Sequence, residues 1–439
     1  MTRACLEHAL DPAALNALFE KHAESQYTKK LLFSSIVDLM GLVVCKIQPS
    51  VSAAYRVMKE NLGVTLAAVY DKLDGIECGV SAALVQHCAA RLGPVVKELG
   101  GEFPPLLDGY RTRIIDGNHF ASTDRRLAVL RDSKAGALPA QALVVLDPGL
   151  MLATHMIPCE DAHAQERSLF DQVLMLVKAN DLWIADRNFC TFGLLYGIQL
   201  RGAFFNIRHH AGMPPASWGD IRQLGRCSTG DVSEQEVTFR NQEGAEMTLR
   251  RVVVNLDKPT QDKDQEIAIL TNVPEDDASA ATIADLYLKR WTLEGVFLTM
   301  TQILDGEPST LGYPKAAIFA FAVALVSFNI ASVVRAGLRG TFGQKKIEEE
   351  VSWYYVANEV HSTHGGMDVA LDEETWVPFQ SMSAADLAGK LKEYAGNVKL
   401  DVFKRSPRGP KKPPTRRTKY AESTHVSTAN LLARAGHKT

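Results

Sequence analysis

The spacing of apolar residues changes character near residue 105. Up to that point apolar side chains recur three and four apart, as in LLFSSIVDLMGLVV (31–44), GVTLAAVYDKLDGI (63–76) and VSAALVQHCAARLGPVVKEL (80–99). This spacing lines one face of a helix, so it predicts a set of amphipathic helices, the second ending near Gly75. Pro104 and Pro105 interrupt the pattern. Beyond them the apolar runs shorten to strand length. YRTRIIDG predicts a strand entering a turn. ALVVLD (142–147) and MLATHMI (151–157) flank Pro148-Gly149 and predict a hairpin. LWIAD (182–186) and GAFFNIR (202–208) predict further strands, with helices over 164–177 and near 192–199. From 209 to about 280 the runs EQEVTFRNQ, EMTLRRVVVNLD and EIAILTNV are strand-like with no helical signal, which predicts a β-rich insertion.

The pattern therefore predicts a mixed α/β chain in three parts. A helical part spans 1–105, an α/β part spans 106–345 with its insertion at about 209–280, and a helical segment with a basic tail spans 346–439. One stretch is long enough to cross a bilayer: Ala316 to Val334 carries no charge. It is rich in alanine, contains Ser327, Asn329 and Ser332, and stands alone. It predicts a buried core helix and no membrane partner.

Composition adds less than distribution. With 46% hydrophobic and 23% charged residues, and 48 basic against 51 acidic residues, the chain is ordinary for a globular protein and carries a net charge of −3. Bulk charge does not point to nucleic acid, but the distribution of charge does. Lys404, Arg405, Arg408, Lys411, Lys412, Arg416, Arg417 and Lys419 follow one another without an acid, punctuated by Pro407, Pro410, Pro413 and Pro414. Such a segment predicts a stiff, extended, basic arm. The alternative is a solvated tail. The seven cysteines are scattered and include no CxxC, which predicts reduced thiols and argues against a zinc or disulfide framework. The opening MTRACLEHALDPAALN has no apolar signal core, so a cytoplasmic protein is expected.

The candidate chemistry lies in DLYLKRWTLEGVF. If this run forms one helix, Tyr287, Arg290 and Glu294 share a stripe of its surface. A guanidinium binds phosphate bidentately and carboxylates hold divalent metal, so the stripe suits phosphoryl transfer. By itself, Arg290–Glu294 reads more readily as a surface pair on an amphipathic helix, worth about 0.3–0.5 kcal/mol. Two more acids change the reading, because Asp116 and Asp186 each follow a short apolar run. They are expected at the ends of neighbouring strands, where open α/β sheets place their sites. Three carboxylates from separated segments would serve a two-metal centre for in-line displacement at phosphorus.

The pattern YxxRxxxE, preceded by the DGN aspartate Asp116 and the ADR aspartate Asp186, resembles the bacterial transposases of the insertion sequence 4 family. So do LFSSIVDLMGLVVCKIQPSVSAAY (32–55), DGNHFASTDRRL (116–127), LVVLDPGLMLATHMIPCEDAHAQERSL (143–169) and LGYPKAAIF (311–319). The resemblance covers about residues 30–335. It implies an RNase H-like core with Asp116, Asp186 and Glu294 as the catalytic, metal-binding triad. It also implies two Mg2+ or Mn2+ ions, with Tyr287, Arg290 and Arg187 at DNA phosphates. The partners it implies are double-stranded DNA, both element ends and target, bound by a homodimer, with 1–105 carrying end recognition. The expected site of action is the nucleoid. The family's signature ends in a lysine, for which this chain has Thr301.

Other readings remain open at this level. A nuclease or an inactivated transposase would keep the fold without strand transfer, and Thr301 favours it. A carboxylate-pair glycosidase would need two acids about 5–10 Å apart and no metal. His361 and His364 form an HxxH with no accompanying ligand, and His209-His210 and His119 read as structural or surface residues. Trp218 and Trp291 are expected to pack, the latter behind the site.

Overall fold

The structure is a computed structural model of the chain. It describes all residues except 27–29, 121–122, 126, 133–135, 261–262, 353, 357–372, 406–424 and 437–439. Six helices come first: α1 (Thr2–Ala9), α2 (Pro12–His22), α3 (Phe33–Val44), α4 (Val51–Leu62), α5 (Leu66–Gly75) and α6 (Cys78–Leu99). Local caps set the starts of two of these helices. Ser50 accepts from the Ala53 amide ahead of α4, and Thr65 accepts from Ala68 ahead of α5. Gly63, at φ 60°, ends α4 in the left-handed conformation that a side chain disfavours.

The sheet begins with β1 (Arg111–His119). The short β2 (Gly136–Leu138) lies outside it, and β3 (Gln141–Asp147) and β4 (Leu152–Cys159) follow. Helices α7 (Phe170–Leu176) and α8 (Phe192–Leu200) flank β5 (Asp181–Ala185), and β6 (Phe204–Arg208) comes next. These strands lie in the order β4-β3-β1-β5-β6. The β1–β3 and β3–β4 pairs are antiparallel, while β1–β5 and β5–β6 are parallel. That is the RNase H-like arrangement. The segment expected as an insertion supplies β7 (Ser217–Trp218), β8 (Arg222–Cys227), β9 (Gly230–Arg240), β10 (Glu246–Leu256) and β11 (Glu266–Thr271). It does not stand apart. β11 pairs antiparallel with β6, and β10 and β9 continue outward, so the insertion lengthens the same sheet.

Helices cover both faces. After β11 come α9 (Ala280–Leu288), α10 (Trp291–Gln302), α11 (Pro314–Phe342) and α12 (Gln344–Glu350). Near the C-terminus lie α13 (Ala384–Gly396), the short β12 (His425–Ser427), which pairs with β2, and α14 (Thr428–Arg434). One face of β1, β3 and β4 packs with α3, α6, α10 and α11 through Ile114, Val144, Leu146 and Ala153. The other face packs with α7 and α8 through Ile115, Leu143, Val145 and Trp183. The outer strands β9–β11 pack on α9. The helix α11 is long and apolar enough to cross a membrane, yet 89% of its apolar window is buried inside the protein, as expected for a core helix.

Two details explain how α11 fits. Asn329, fully buried, accepts from the Ala153 amide at 2.8 Å and donates to the Ala153 carbonyl at 2.9 Å. It thus pairs the backbone of the edge strand β4, which would otherwise be unsatisfied. Gly340 lies against the Leu99 carbonyl, where a Cβ would overlap it, so only glycine lets α6 and α11 approach so closely.

Candidate active site

The parallel register of β1 and β5 pairs Ile114 with Ile184. Asp116 lies two residues beyond this pair on β1, and Asp186 two residues beyond it on the chain leaving β5. Side chains alternate across a strand, so both aspartates follow the face on which Ile114 and Ile184 join the core with α10 and α11. Asp186 lies one residue past the end of β5, where its carboxylate accepts from the Asn188 amide at 2.8 Å. Asp116 accepts from the Gly117 amide at 2.9 Å.

The third acid arrives on α10. The run expected as a single helix is in fact two. α9 stops at Leu288, α10 starts at Trp291, and the amides of Lys289, Arg290, Thr292 and Leu293 bond three residues back instead of four. This tightened turn contains no proline or glycine and keeps the three side chains associated. One Arg290 nitrogen lies 3.1 Å from Asp116 and another 2.7 Å from Glu294. The first and last acids of the predicted triad therefore meet on one guanidinium, although 174 residues separate Arg290 from Asp116.

Tyr287 departs from expectation. It is 6% exposed and packs with Ile283 and Leu286 on α9, and its hydroxyl accepts from Arg290. It orients the guanidinium and is not placed at the surface for a phosphate. Arg187 is exposed immediately after Asp186, as its strand-end position suggested. Lys404 and Arg405 are exposed but engaged, Lys404 with Asp401 at 2.9 Å and Arg405 with the Val351 carbonyl at 3.0 Å. Arg408, Lys411, Lys412, Arg416 and Arg417 lie outside the described residues, as do His361 and His364.

Burial pushes the Asp116 carboxyl up to about 6. Arg290 opposes this, while Asp186 and Glu294 add to it. Burial also works against charge on Arg290, but Tyr287, Asp116 and Glu294 together hold it protonated. A fourth acid was not anticipated. Glu166 opens the turn before α7, and burial, with Asp186 and Asp116 beside it, pushes its carboxyl up to about 7. Its segment was read as a helix and as part of the family-like stretch 143–169, and nothing in AQERSL singled out this acid.

The donor set is entirely carboxylate, the hard oxygen chemistry that Mg2+ and Mn2+ require. The Arg290 cation sits between Asp116 and Glu294. Among the described residues, no three acidic, histidine or cysteine side chains are gathered around one common point in this arrangement. The residues fit divalent cations in chemistry, with Arg290 as the present counter-charge.

Two tryptophans differ from expectation. Trp218 is 55% exposed on the two-residue edge strand β7, where no layer covers it, and the Arg251 guanidinium lies 5.4 Å from its ring centroid. Trp291 is 51% exposed and begins α10 instead of packing behind the site. Thr301 is exposed further along α10 and donates back to the Phe297 and Leu298 carbonyls. The Lys46 ammonium reaches the same end of α10, 3.0 Å from the Gln302 carbonyl.

No curated protein matches the chain. The family model described as the transposase DDE domain matches residues 108–328, half of the 439 residues, and spans all three acids from Asp116 on β1 to Glu294 on α10. The chain belongs to the DDE transposase family.

Proposed function

We propose that this protein binds the terminal inverted repeats of an insertion sequence, cleaves at the element ends and joins the freed 3′-hydroxyls to target DNA. The observation that carries this reading is the Arg290 guanidinium bridging Asp116 on β1 and Glu294 on α10, with Asp186 one residue past the end of the neighbouring strand β5. Asp116, Asp186 and Glu294 would hold Mg2+ or Mn2+. Two such ions, when bound, assist attack at phosphorus and stabilise the departing oxygen.

The chain's own residues supply the rest. Tyr287 buries its ring and fixes the direction of Arg290. Arg290 has a planar fork that matches a phosphate as well as it matches two carboxylates. An approaching DNA phosphate competes for that fork and frees Asp116 and Glu294 for cations. Arg187 adds positive charge at the strand end. The helices before residue 105 and the basic segment 404–419 would extend contact along the duplex, the latter through phosphates without regard to sequence.

The test is cleavage and strand transfer on duplexes carrying the DNA that flanks this gene. Asp116→Asn, Asp186→Asn and Glu294→Gln should each abolish cleavage and leave end binding intact, because amides keep the shape and lose the charge. Undiminished cleavage by Asp116→Asn, or in excess EDTA, would overturn the assignment. A second reading, a nuclease or inactivated transposase without strand transfer, is favoured by Thr301, whose hydroxyl turns back to its own helix and supplies no cation. Cleavage without joined product would select it.

A further inference from the structure

We propose that the loop between α10 and α11, with Arg125 and Lys46 along it, is a surface that binds the phosphate backbone of duplex DNA next to the active site. This deepens the reading above and rests on it.

The loop, residues 303–313, is tied to the elements that carry the acids. α10, which bears Glu294, runs straight into it. The Asp305 amide donates to the Val44 carbonyl, at the end of α3, at 2.8 Å. Asn118, two residues past Asp116 on β1, donates to the Glu307 carboxylate at 3.1 Å. Further along, the Thr123 hydroxyl and the Asp124 amide both donate to the Ser309 carbonyl, at 2.5 and 2.9 Å. A Cβ at Gly312 would come within 3.3 Å of the Arg125 carbonyl, so the stretch after β1 lies close along the loop. These ties fix where the neighbouring cations stand.

Arg125 is the first of them. It is exposed, and its guanidinium lies 5.5 Å from the Tyr70 ring centroid and 6.0 Å from that of Tyr313. Both tyrosines pack against the main core. Contact with aromatic rings holds a guanidinium in place and uses none of its N–H donors as hydrogen bonds to oxygen. Among the described residues the Arg125 guanidinium has no hydrogen-bond acceptor and no ion-pair partner. Burial pushes the carboxyl of Asp74 on α5 up to about 7, with Arg125 opposing, so near neutral pH that negative charge is only partly present. An arginine whose direction is set and whose donors are unused matches a phosphate, which accepts two of them at once.

Lys46 is the second. It follows α3, is exposed, and takes a left-handed backbone at φ 59°. Its ammonium meets the Gln302 carbonyl at 3.0 Å, on the last turn of α10, where the helix dipole favours a cation. One such contact leaves two of its three donors. α10 has no basic residue from Trp291 to Gln302, so the cations along it are Arg290 before it and Lys46 at its end. They stand about 18 Å apart along the helix, a span of roughly five nucleotides of one strand. The two acids of the loop do not oppose this surface. Glu307 is turned to Asn118, and Asp305 is half-buried, its carboxyl raised by burial against the charge of Lys46. The loop residues that reach solvent are Ser309 and Thr310, uncharged and carrying hydroxyls of the kind that hydrogen-bond phosphates.

The experiment is fluorescence anisotropy of the full-length protein with a labelled duplex of arbitrary sequence, in EDTA, over a series of KCl concentrations. Wild type is compared with Arg125→Gln, Lys46→Gln, the double variant and Arg125→Lys, each also followed by urea denaturation. Lys97→Gln is the control, because Lys97 is exposed beside Leu99, which packs on Gly340 about 39 Å along α11 from the loop. Arg125→Gln and Lys46→Gln should each weaken binding about tenfold, the loss of one charge-assisted contact. Each should also flatten the dependence of log K on log salt by about 0.9, and the double variant by about twice that. Arg125→Lys keeps the charge and should keep the wild-type slope. Wild-type slopes in both glutamine variants overturn this inference, and so does an equal flattening in Lys97→Gln. Either result leaves the reading above standing, because the wild type still binds DNA. A response at only one of the two positions overturns the shared surface. A lowered urea midpoint with an unchanged slope makes Arg125 a brace between the β1–β3 connection and α5, and overturns it too. No duplex binding by the wild type overturns this inference and the underlying reading together.

Discussion

Replacing Asp116 by asparagine should stabilise this protein while destroying its activity. Burial raises the Asp116 carboxyl from its ordinary 3.8 to about 6, even with Arg290 beside it, and its side chain is 17% exposed. At pH 8 the folded protein must hold Asp116 ionised in a place that favours the proton. The cost is the difference between the two values at about 1.4 kcal/mol per pH unit, roughly 3 kcal/mol in all. An asparagine is neutral in the folded and unfolded chains and escapes that cost. The sign follows from linkage. A carboxyl with a raised folded value stabilises the fold fully below its unfolded value, and that contribution is lost as pH rises through the folded value. The advantage of Asp116→Asn should therefore be near zero at pH 4, grow between about pH 4 and 6, and level off above. The assay is urea denaturation in EDTA at pH 4.5, 6 and 8, compared with cleavage of end DNA. Equal stability of variant and wild type at pH 8, or a gain of the same size at pH 4.5, would refute the reasoning. Added Mn2+ should reverse the order by stabilising only the wild type.

Arg290→Ala should weaken binding to end DNA by about 10- to 100-fold, the loss of a charge-assisted contact of about 1.5–3 kcal/mol, and should move the Asp116 carboxyl further upward. Arg290→Lys should recover only part, because an ammonium cannot bridge two acceptors as a fork does. Calorimetric titration of the duplex checks this, and full recovery by lysine would count against the geometry. Asn329→Ala leaves the Ala153 amide and carbonyl unpaired in the core and should cost about 2–4 kcal/mol by urea denaturation. A loss under about 0.5 kcal/mol would show that the edge strand is paired by other means. Truncation after residue 403 should flatten the dependence of log K on log salt by about 0.9 for each phosphate contact removed. An unchanged slope would leave the tail a solvated terminus.

What the sequence revealed and what it hid divide along physical lines. The helices before residue 105 and the strands β1, β3, β4, β5 and β6 were legible because their apolar spacing, caps and turn residues are local. Ser50, Thr65 and the Pro148-Gly149 pair each act within a few residues of themselves. The buried character of α11 was also legible, since Asn329 and the two serines would be misplaced in lipid. The insertion was recognised as β-rich, but its union with the main sheet was not. That union depends on the β6–β11 pairing, which joins Arg208 to Ile269 across the intervening strands β7–β10 and carries no local mark. The break after Leu288 was hidden for a related reason. No residue in LYLKRWTLE disfavours a helix, and the turn tightens where Tyr287 is drawn into the α9 core while Arg290 reaches Asp116 on the sheet.

The site itself follows the same division. Asp116, Asp186 and Glu294 stood out because each lies at a boundary that the pattern defines: the end of an apolar run, or a polar position on an apolar helix. Glu166 had no such boundary. Its place depends on Gly117, and the two are 49 positions apart with no periodic relation. Only the β1–β5 register, the Phe170–Phe189 stack and the missing side chain at 117 bring that carboxylate to Asp116 and Asp186. The same dependence makes the pair separable by mutation. Gly117→Ala should push Glu166 away while leaving its charge and its turn in place. In urea denaturation the loss of stability in the Gly117→Ala, Glu166→Gln double variant should fall short of the sum of the two single losses, since both disturb the same contact. Additive losses would mean that Gly117 and Glu166 act on the fold by different routes.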